Sequence, residues 1–298
     1  MINLISRYKP KDKTVSAPVV ILSAGRSGST LLQRIVNTSP NLVIWGEHGG
    51  MLSGVANSYQ NLIYGKQLND FHYNRKDKVT KSLITGSYNE YNISINWMNS
   101  FDKENSKDLF RNFIFSTLNQ KVKLTSTQKW GFKEILYSNN DNVVNMLVDL
   151  FPDTKFLFSI RNPFDAVFSM MFAFSSEDVR NNAIEMNDFS ALRNDIHNFA
   201  LRLKRSLVSF NEWTENPQIN SMVIKYEDLI SQQEKIIPEI FSFLGTKIPV
   251  NVYEPLAIKL ESTKNYPYYE EIKKLVLEEA PEIRKLLGNL NDKMYYDF

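Results

Sequence analysis

The apolar positions of this chain fall into short, separated runs, and their spacing alternates between two periods. Val19-Val20-Ile21-Leu22 follows Pro18 as an unbroken, β-branched run, which predicts a strand buried on both faces. Small residues fill Gly25 to Thr30. Leu31, Leu32, Ile35 and Val36 then recur at helical spacing, and the helix should stop before Pro40. Leu42-Val43-Ile44-Trp45 predicts a second strand. Further on, the pattern predicts a strand at Lys129–Lys133, a helix across 141–150 and a strong strand at Phe156–Ile160. A helix then starts near Pro163, followed by a long amphipathic helix over 188–213, a strand at Met222–Tyr226 and a helix over 231–244. Strands alternating with helices predict an α/β fold with a mostly parallel central sheet, helices on its faces and right-handed connections.

Residues 50–128 break this rhythm. They are rich in Asn, Ser, Tyr and Lys, with a helical pattern only near 106–119, and read as an insertion or lid of helices and loops after the second strand. The expected organisation is a single domain over 1–298. Its core is 15–48 and 129–245, its insertion 50–128, and its C-terminal region 246–298. No internal repeat or low-complexity tract is visible.

Composition narrows the function. Apolar residues make up 43% and aromatic residues 12%, enough for a sizeable core and too many for a disordered chain. A net charge of +2 gives no reason to expect nucleic-acid binding, while leaving room for a local basic cluster. The chain has no cysteine, which excludes disulfides, thiolate nucleophiles and iron–sulfur sites. The three histidines, His48, His72 and His197, are scattered, so no metal site is expected. MINLISRYKPKDK does not read as a signal peptide, and no stretch of 18 apolar residues suggests a membrane span. The expectation is a cytoplasmic protein, and the abundance of Asn and Lys points to a bacterial source. Nothing in the sequence bears on oligomeric state.

The sharpest chemistry lies in Ser23-Ala24-Gly25-Arg26-Ser27-Gly28-Ser29-Thr30-Leu31-Leu32, between a predicted strand and a predicted helix. Glycines let the backbone curl, successive N–H groups can converge, and the helix N-terminus adds positive potential. Ser27, Ser29, Thr30 and Arg26 add donors suited to a phosphate. A triphosphate-binding loop would read GxxxxGK[ST]. Here Ser23 occupies the first glycine position and Ser29 the lysine position, so a single 5′ phosphate fits better. The bland alternative is an ordinary strand–turn–helix. Arg161-Asn162-Pro163-Phe164-Asp165-Ala166-Val167-Phe168-Ser169 repeats the layout. It puts Arg161 at the carboxyl edge of a strand, where open α/β sheets place their sites, with Ser169 in the following helix. Arg161 could instead pair with Asp165 on the surface. Taken together, two such edges imply one ligand carrying two separated phosphates.

The three segments now in view resemble a known family. GRSGSTLL is similar to the 5′-phosphosulfate loop of sulfotransferases, and RNPFDAVFS to their 3′-phosphate motif. Val223-Ile224-Lys225-Tyr226-Glu227-Asp228-Leu229 is similar to their YED segment. The resemblance spans residues 19 to 230 in family order. It implies a modified P-loop fold, 3′-phosphoadenosine 5′-phosphosulfate (PAPS) as donor, adenosine 3′,5′-bisphosphate as product and no metal. It assigns the 5′ phosphate to Gly25, Arg26, Ser27, Gly28, Ser29 and Thr30, the 3′ phosphate to Arg161 and Ser169, and an adenine contact to Tyr226. The acceptor would be a small molecule or glycan bearing a hydroxyl on a sugar, lipid, phenol or natural product.

Sulfuryl transfer needs a base for the acceptor and a cation at the leaving phosphate. Glu47, in Trp45-Gly46-Glu47-His48-Gly49-Gly50, follows the second strand. That strand edge is expected beside the phosphate loop, in a Gly-Glu context similar to the tyrosylprotein and several bacterial sulfotransferases. His48 is the rival, with an ordinary pKa suited to proton transfer. The cytosolic enzymes carry their histidine after a later strand, but Trp130-Gly131-Phe132-Lys133-Glu134 has none, which makes Glu134 a third candidate base. Lys133 is the candidate cation for the leaving phosphate. Lys264 is a further candidate nucleotide contact, and Tyr266, Tyr268 and Tyr269 either line an acceptor site or pack. Arg202, Lys204 and Arg205 read as a wet helix face. The alternatives are a small-molecule or nucleotide kinase, or a non-catalytic nucleotide-binding module.

Overall fold

The computed structural model describes residues 15–66, 68, 99, 101–258 and 268–288. These fall into two compact units. The larger comprises 16–51, 123–140 and 151–298, and the smaller 1–15, 52–122 and 141–150.

The larger unit holds a five-stranded sheet of β1 (Val19–Ser23), β2 (Leu42–Trp45), β3 (Lys129–Glu134), β4 (Lys155–Ile160) and β5 (Ser221–Lys225). All strands are parallel, in the order β2-β3-β1-β4-β5. The predicted α/β fold is therefore observed. One expectation is corrected by the order: β3 lies between β1 and β2, so the edge carrying Glu47 is one strand removed from the phosphate loop. β2 is an edge strand, and helix α1 (Ser29–Val36) protects it. Asn37 Oδ1 accepts from Ile44 N–H at 2.8 Å, while Gln33 Nε2 and Asn37 Nδ2 both donate to Ile44 O at 2.9 Å.

Alternate strand residues serve opposite layers. Val19 and Ile21 of β1 and Leu157 of β4 bury against Leu32, Ile35 and Val36 of α1 and Ile237, Ile240, Phe241 and Leu244 of a later helix. On β4 the intervening residues stack the other way. Phe158 lies parallel to Phe210 with centroids 4.9 Å apart, and 5.8 Å from Trp213. In β3, Gly131 passes so close to β1 that a Cβ would stand 1.8 Å from Val19 O, which is why this strand interior holds a glycine.

The smaller unit contains α2 (Leu52–Tyr64), α3 (Lys103–Leu118) and α4 (Val143–Leu150). Asp149 joins them. It accepts from the buried Tyr59 hydroxyl, from Tyr64 Oη at 2.5 Å and from Lys107 Nζ at 2.7 Å. Burial pushes Asp149 upward, but these donors outweigh it and hold the carboxyl below its usual range. The reciprocal hydrogen bond, with burial, pushes Tyr64 up to about 12.

The larger unit continues with α5 (Pro163–Phe174), α6 (Glu177–Glu185), α7 (Ser190–Glu215), α8 (Tyr226–Ser231), α9 (Gln233–Leu244), α10 (Glu254–Ala257), α11 (Tyr269–Glu278) and α12 (Ala280–Leu287). The long helix begins at Ser190, after Asn187 turns the chain at φ 50° and separates it from α6. Tyr226 is a second correction. It was expected to end a strand, but β5 stops at Lys225 and Tyr226 opens α8, whose first turn carries Glu227 and Asp228, favourable at a helix N-terminus. At the opposite end of the sheet, Lys129 and Lys155, the first residues of β3 and β4, donate to the α9 carbonyls of Leu244 at 2.7 Å and Phe243 at 2.5 Å. Burial, then the neighbouring Lys129, hold Lys155 below its ordinary value.

Candidate functional site

The segments singled out in the sequence meet at the carboxyl ends of β1, β3, β4 and β5, within the larger unit. After Ser23 the chain turns through Gly25 (φ 81°), Arg26 (φ 51°) and Gly28 (φ 79°) before α1 begins at Ser29. Left-handed φ at Arg26 is uncommon for a residue with a side chain, and the surroundings fix it. Ser27 is buried and its hydroxyl donates to Gly25 O at 3.0 Å. Ser159 Oγ donates to Ser27 O at 2.6 Å, pinning the turn to β4. Ser29 is buried, while Arg26 and Thr30 are exposed. Gly25 sits between Ile135 and Met170, whose terminal carbons lie 3.8 and 3.9 Å from where its Cβ would be.

The second segment lies directly against the first. Register pairs Ser23 with Ser159, so β1 and β4 release their loops side by side. Arg26 Nε donates to Ser169 Oγ at 3.0 Å, and Arg161 Nη1 donates to Arg26 O at 3.4 Å. Asn162 caps α5 by accepting from Phe164 N–H, with Pro163 in the first turn, as the sequence suggested. Among the described residues Arg161 forms no ion pair, so the surface pairing with Asp165 is absent. Its Nε is buried and has no hydrogen-bond partner, an orphaned donor that an anion's oxygen suits.

Tyr226 joins both segments. Its ring lies 4.8 Å beneath the Arg161 guanidinium, and a Cβ at Gly28 would stand 2.3 Å from its Cδ2. Next to it, Glu227 Oε1 accepts from Asn162 N–H at 2.9 Å. Gly28→Ala is therefore expected to destabilise the protein by about 1–3 kcal/mol, through the left-handed φ and the ring contact. A thermal unfolding midpoint equal to that of the wild type would contradict that contact.

At the third edge, Lys133 is nearly buried, with a side chain 8% exposed, and its Nζ meets Glu47 Oε1 at 2.5 Å. It is not the solvated strand-end lysine that its position allowed. The ion pair brings Glu47 back toward β3 despite the intervening-strand correction above. Glu134 points elsewhere: its side chain is fully buried and it accepts from the N–H groups of His48, Gly50 and Ile135 at 3.1, 3.0 and 2.8 Å. His48 Nδ1 lies 3.5 Å from Glu134, its ring packs edge-on to Phe132, and the Tyr137 hydroxyl is 3.4 Å from its nitrogens. Burial lowers the His48 pKa, with the Glu134 charge opposing in part.

The chemistry of these donors suits a phosphate-bearing ligand. A family model described as the sulfotransferase family matches residues 18–249. The chain belongs to that family. This sulfotransferase is an enzyme by its family, and its fold has counterparts among solved structures. The sulfotransferase domain of the Synechococcus PCC 7002 olefin synthase aligns over 96% of this chain and 94% of its own, with TM-score 0.51 and 17% identity. The sulfotransferase domain from the curacin biosynthetic pathway gives TM-score 0.49 and 13% identity, covering 94% of this chain and 96% of its own. Sulfotransferase STF9 from Mycobacterium avium gives 0.45 and 11%, covering 92% and 78%. At 17% identity the likeness to the olefin synthase domain concerns the fold. None of the curated proteins compared matches the chain.

Sequence reasoning missed two residues that hold the sulfotransferase loops. Ser159 had a signal, as the single polar residue in the run 156–160. Glu227 had none beyond its place in the YED segment. Lys264, Tyr266 and His72 lie outside the described residues. Tyr269 packs between Phe168 and Phe172, with centroids 5.1 and 6.3 Å away. Among the described residues no helix is long and apolar enough to cross a membrane.

Proposed function

We propose that this sulfotransferase moves the sulfuryl group of PAPS to an acceptor hydroxyl and releases adenosine 3′,5′-bisphosphate. One observation carries the reading. Arg26 donates to Ser169, Arg161 donates to the Arg26 carbonyl, and Arg161 keeps a buried N–H without a partner. Two cations at adjacent strand ends suit a nucleotide with a phosphate at each end of its ribose. The loop from Gly25 to Thr30, with Ser27, Gly28 and Ser29, takes the 5′ phosphate, and Arg161 with Ser169 takes the 3′ phosphate.

The reaction is an in-line displacement. The acceptor oxygen forms a bond to sulfur, the bond from sulfur to the bridging oxygen breaks, and the electron pair stays on the leaving phosphate. The acceptor proton goes to a carboxylate. Glu47 serves as that base and Lys133 as the cation that neutralises the leaving phosphate. Their 2.5 Å contact supports this division, because it sets the carboxylate and the ammonium side by side. A donor phosphate attracts Lys133, and Glu47 is then free to accept the proton. Glu134 does not fit the role of base, since both its oxygens are occupied by backbone N–H groups away from solvent. The acceptor is a small molecule or glycan bearing a hydroxyl.

Titration calorimetry tests the donor. Adenosine 3′,5′-bisphosphate is expected to bind without magnesium and more tightly than ADP. Magnesium-dependent ATP binding with no affinity for the bisphosphate would replace this reading with a kinase.

A further inference from the structure

We infer that Glu134 is a positioning residue for the base. It acts by clasping the turn that carries Glu47, an inference that rests on the reading of Glu47 proposed above. The turn has little structure of its own. It leaves β2 at Trp45 and passes through Gly46, Gly49 (φ 65°) and Gly50 (φ 70°). The backbone hydrogen bond within it, Met51 N–H to His48 O, is long at 3.4 Å. Glycines at three of five positions leave the backbone free to sample many conformations. Glu47 is 42% exposed, so packing does little to fix it.

Glu134 supplies the missing constraint from the end of β3. One oxygen accepts from His48 N–H at 3.1 Å and Gly50 N–H at 3.0 Å, and the other accepts from Ile135 N–H at 2.8 Å. These are hydrogen bonds to a carboxylate, with no side-chain exposure to water, and such bonds are stronger than neutral ones. The residue before Glu134 is Lys133, whose side chain meets Glu47. Successive strand residues point to opposite faces, so two neighbouring positions of β3 hold the turn at two points. Lys133 holds the side chain of Glu47, and Glu134 holds the backbone on its C-terminal side. A base that must meet an acceptor proton within hydrogen-bond reach depends on such restraint, because a displacement of about 1 Å can cost roughly 100-fold in rate.

Glu134→Gln tests this, because the amide keeps the shape but replaces one accepting oxygen with a donor facing backbone N–H groups. Hydrogen exchange reads the turn without any substrate. The expected result is loss of amide protection confined to residues 46–51 and Ile135, the segments whose N–H groups Glu134 accepts from, with the rest of the larger unit and the affinity for adenosine 3′,5′-bisphosphate unchanged. The rate readout is conversion of PAPS to the bisphosphate and sulfate, with water as acceptor. It is expected to fall roughly 10- to 100-fold in Glu134→Gln, and no further when Glu134→Gln is added to Glu47→Gln. Unchanged protection at 46–51 overturns the inference, as do rate losses that multiply in the double variant. If Glu47→Gln alone leaves the rate intact, the base assignment fails instead, and the protection result still judges the clasp. Should Glu134→Gln not fold, Glu134→Asp keeps the charge on a shorter arm and is expected to lose part of the same protection. Full protection in Glu134→Asp overturns the inference.

Discussion

Glu47→Gln is expected to cut sulfuryl transfer by roughly 100-fold or more while adenosine 3′,5′-bisphosphate binds at least as tightly as to the wild type. The two halves of this expectation have different causes. Glutamine cannot take the acceptor proton, so the loss falls on the chemical step. Binding is spared because Glu47 stands against Lys133, away from the contacts among Arg26, Arg161 and Ser169. Removing its negative charge also releases Lys133 to attract an anion. Single-turnover rates with PAPS, measured alongside calorimetric titration of the bisphosphate, separate the two effects. A rate that survives Glu47→Gln would pass the role to His48, which burial keeps toward its neutral, proton-accepting form.

Arg161→Ala carries the next largest effect, a weakening of bisphosphate binding by about 1.5–3 kcal/mol from the loss of charge-assisted hydrogen bonds. Arg26→Ala is expected to weaken binding in the same direction and by less. Arg26 is exposed, so water already screens its charge. Arg161 is held by the Tyr226 ring and the Arg26 carbonyl, with a buried N–H left over, so its charge is pre-organised. Calorimetry with the bisphosphate checks both. Affinities near wild type in the two variants would remove the reading of one nucleotide gripped at two phosphates.

The strands were legible because a strand buried on both faces has no polar side to interrupt its apolar run, as in 19–22 and 156–160. The turn between β1 and α1 was legible because its left-handed positions at Gly25 and Gly28 call for glycine. What stayed hidden depends on contacts between distant positions. Nothing in the residues of β3 announces that it inserts between β1 and β2, since strand order is set by how crossover helices pack. Tyr226 was read into a strand because an aromatic after Met222-Val223-Ile224 continues the pattern, whereas acidic residues behind it favour a helix. Glu134 looked like a candidate base by residue type. Only the three N–H groups around it reveal a structural task. Over 50–128, the helix near 106–119 stood out, and the structure has it as Lys103–Leu118. The helix Leu52–Tyr64 was missed, although Leu52, Ala56, Tyr59 and Ile63, its buried residues, recur at helical spacing.

The lysine rivets at Leu244 and Phe243 lie at the amino ends of β3 and β4, whereas the loops carrying Arg26 and Arg161 leave the carboxyl ends of β1 and β4. Attachment of the helical layer and the proposed nucleotide site thus lie at opposite rims of the same sheet. Substitutions at the rim of Arg26 and Arg161 leave these two lysine contacts untouched, so that rim can vary in sequence without loosening α9.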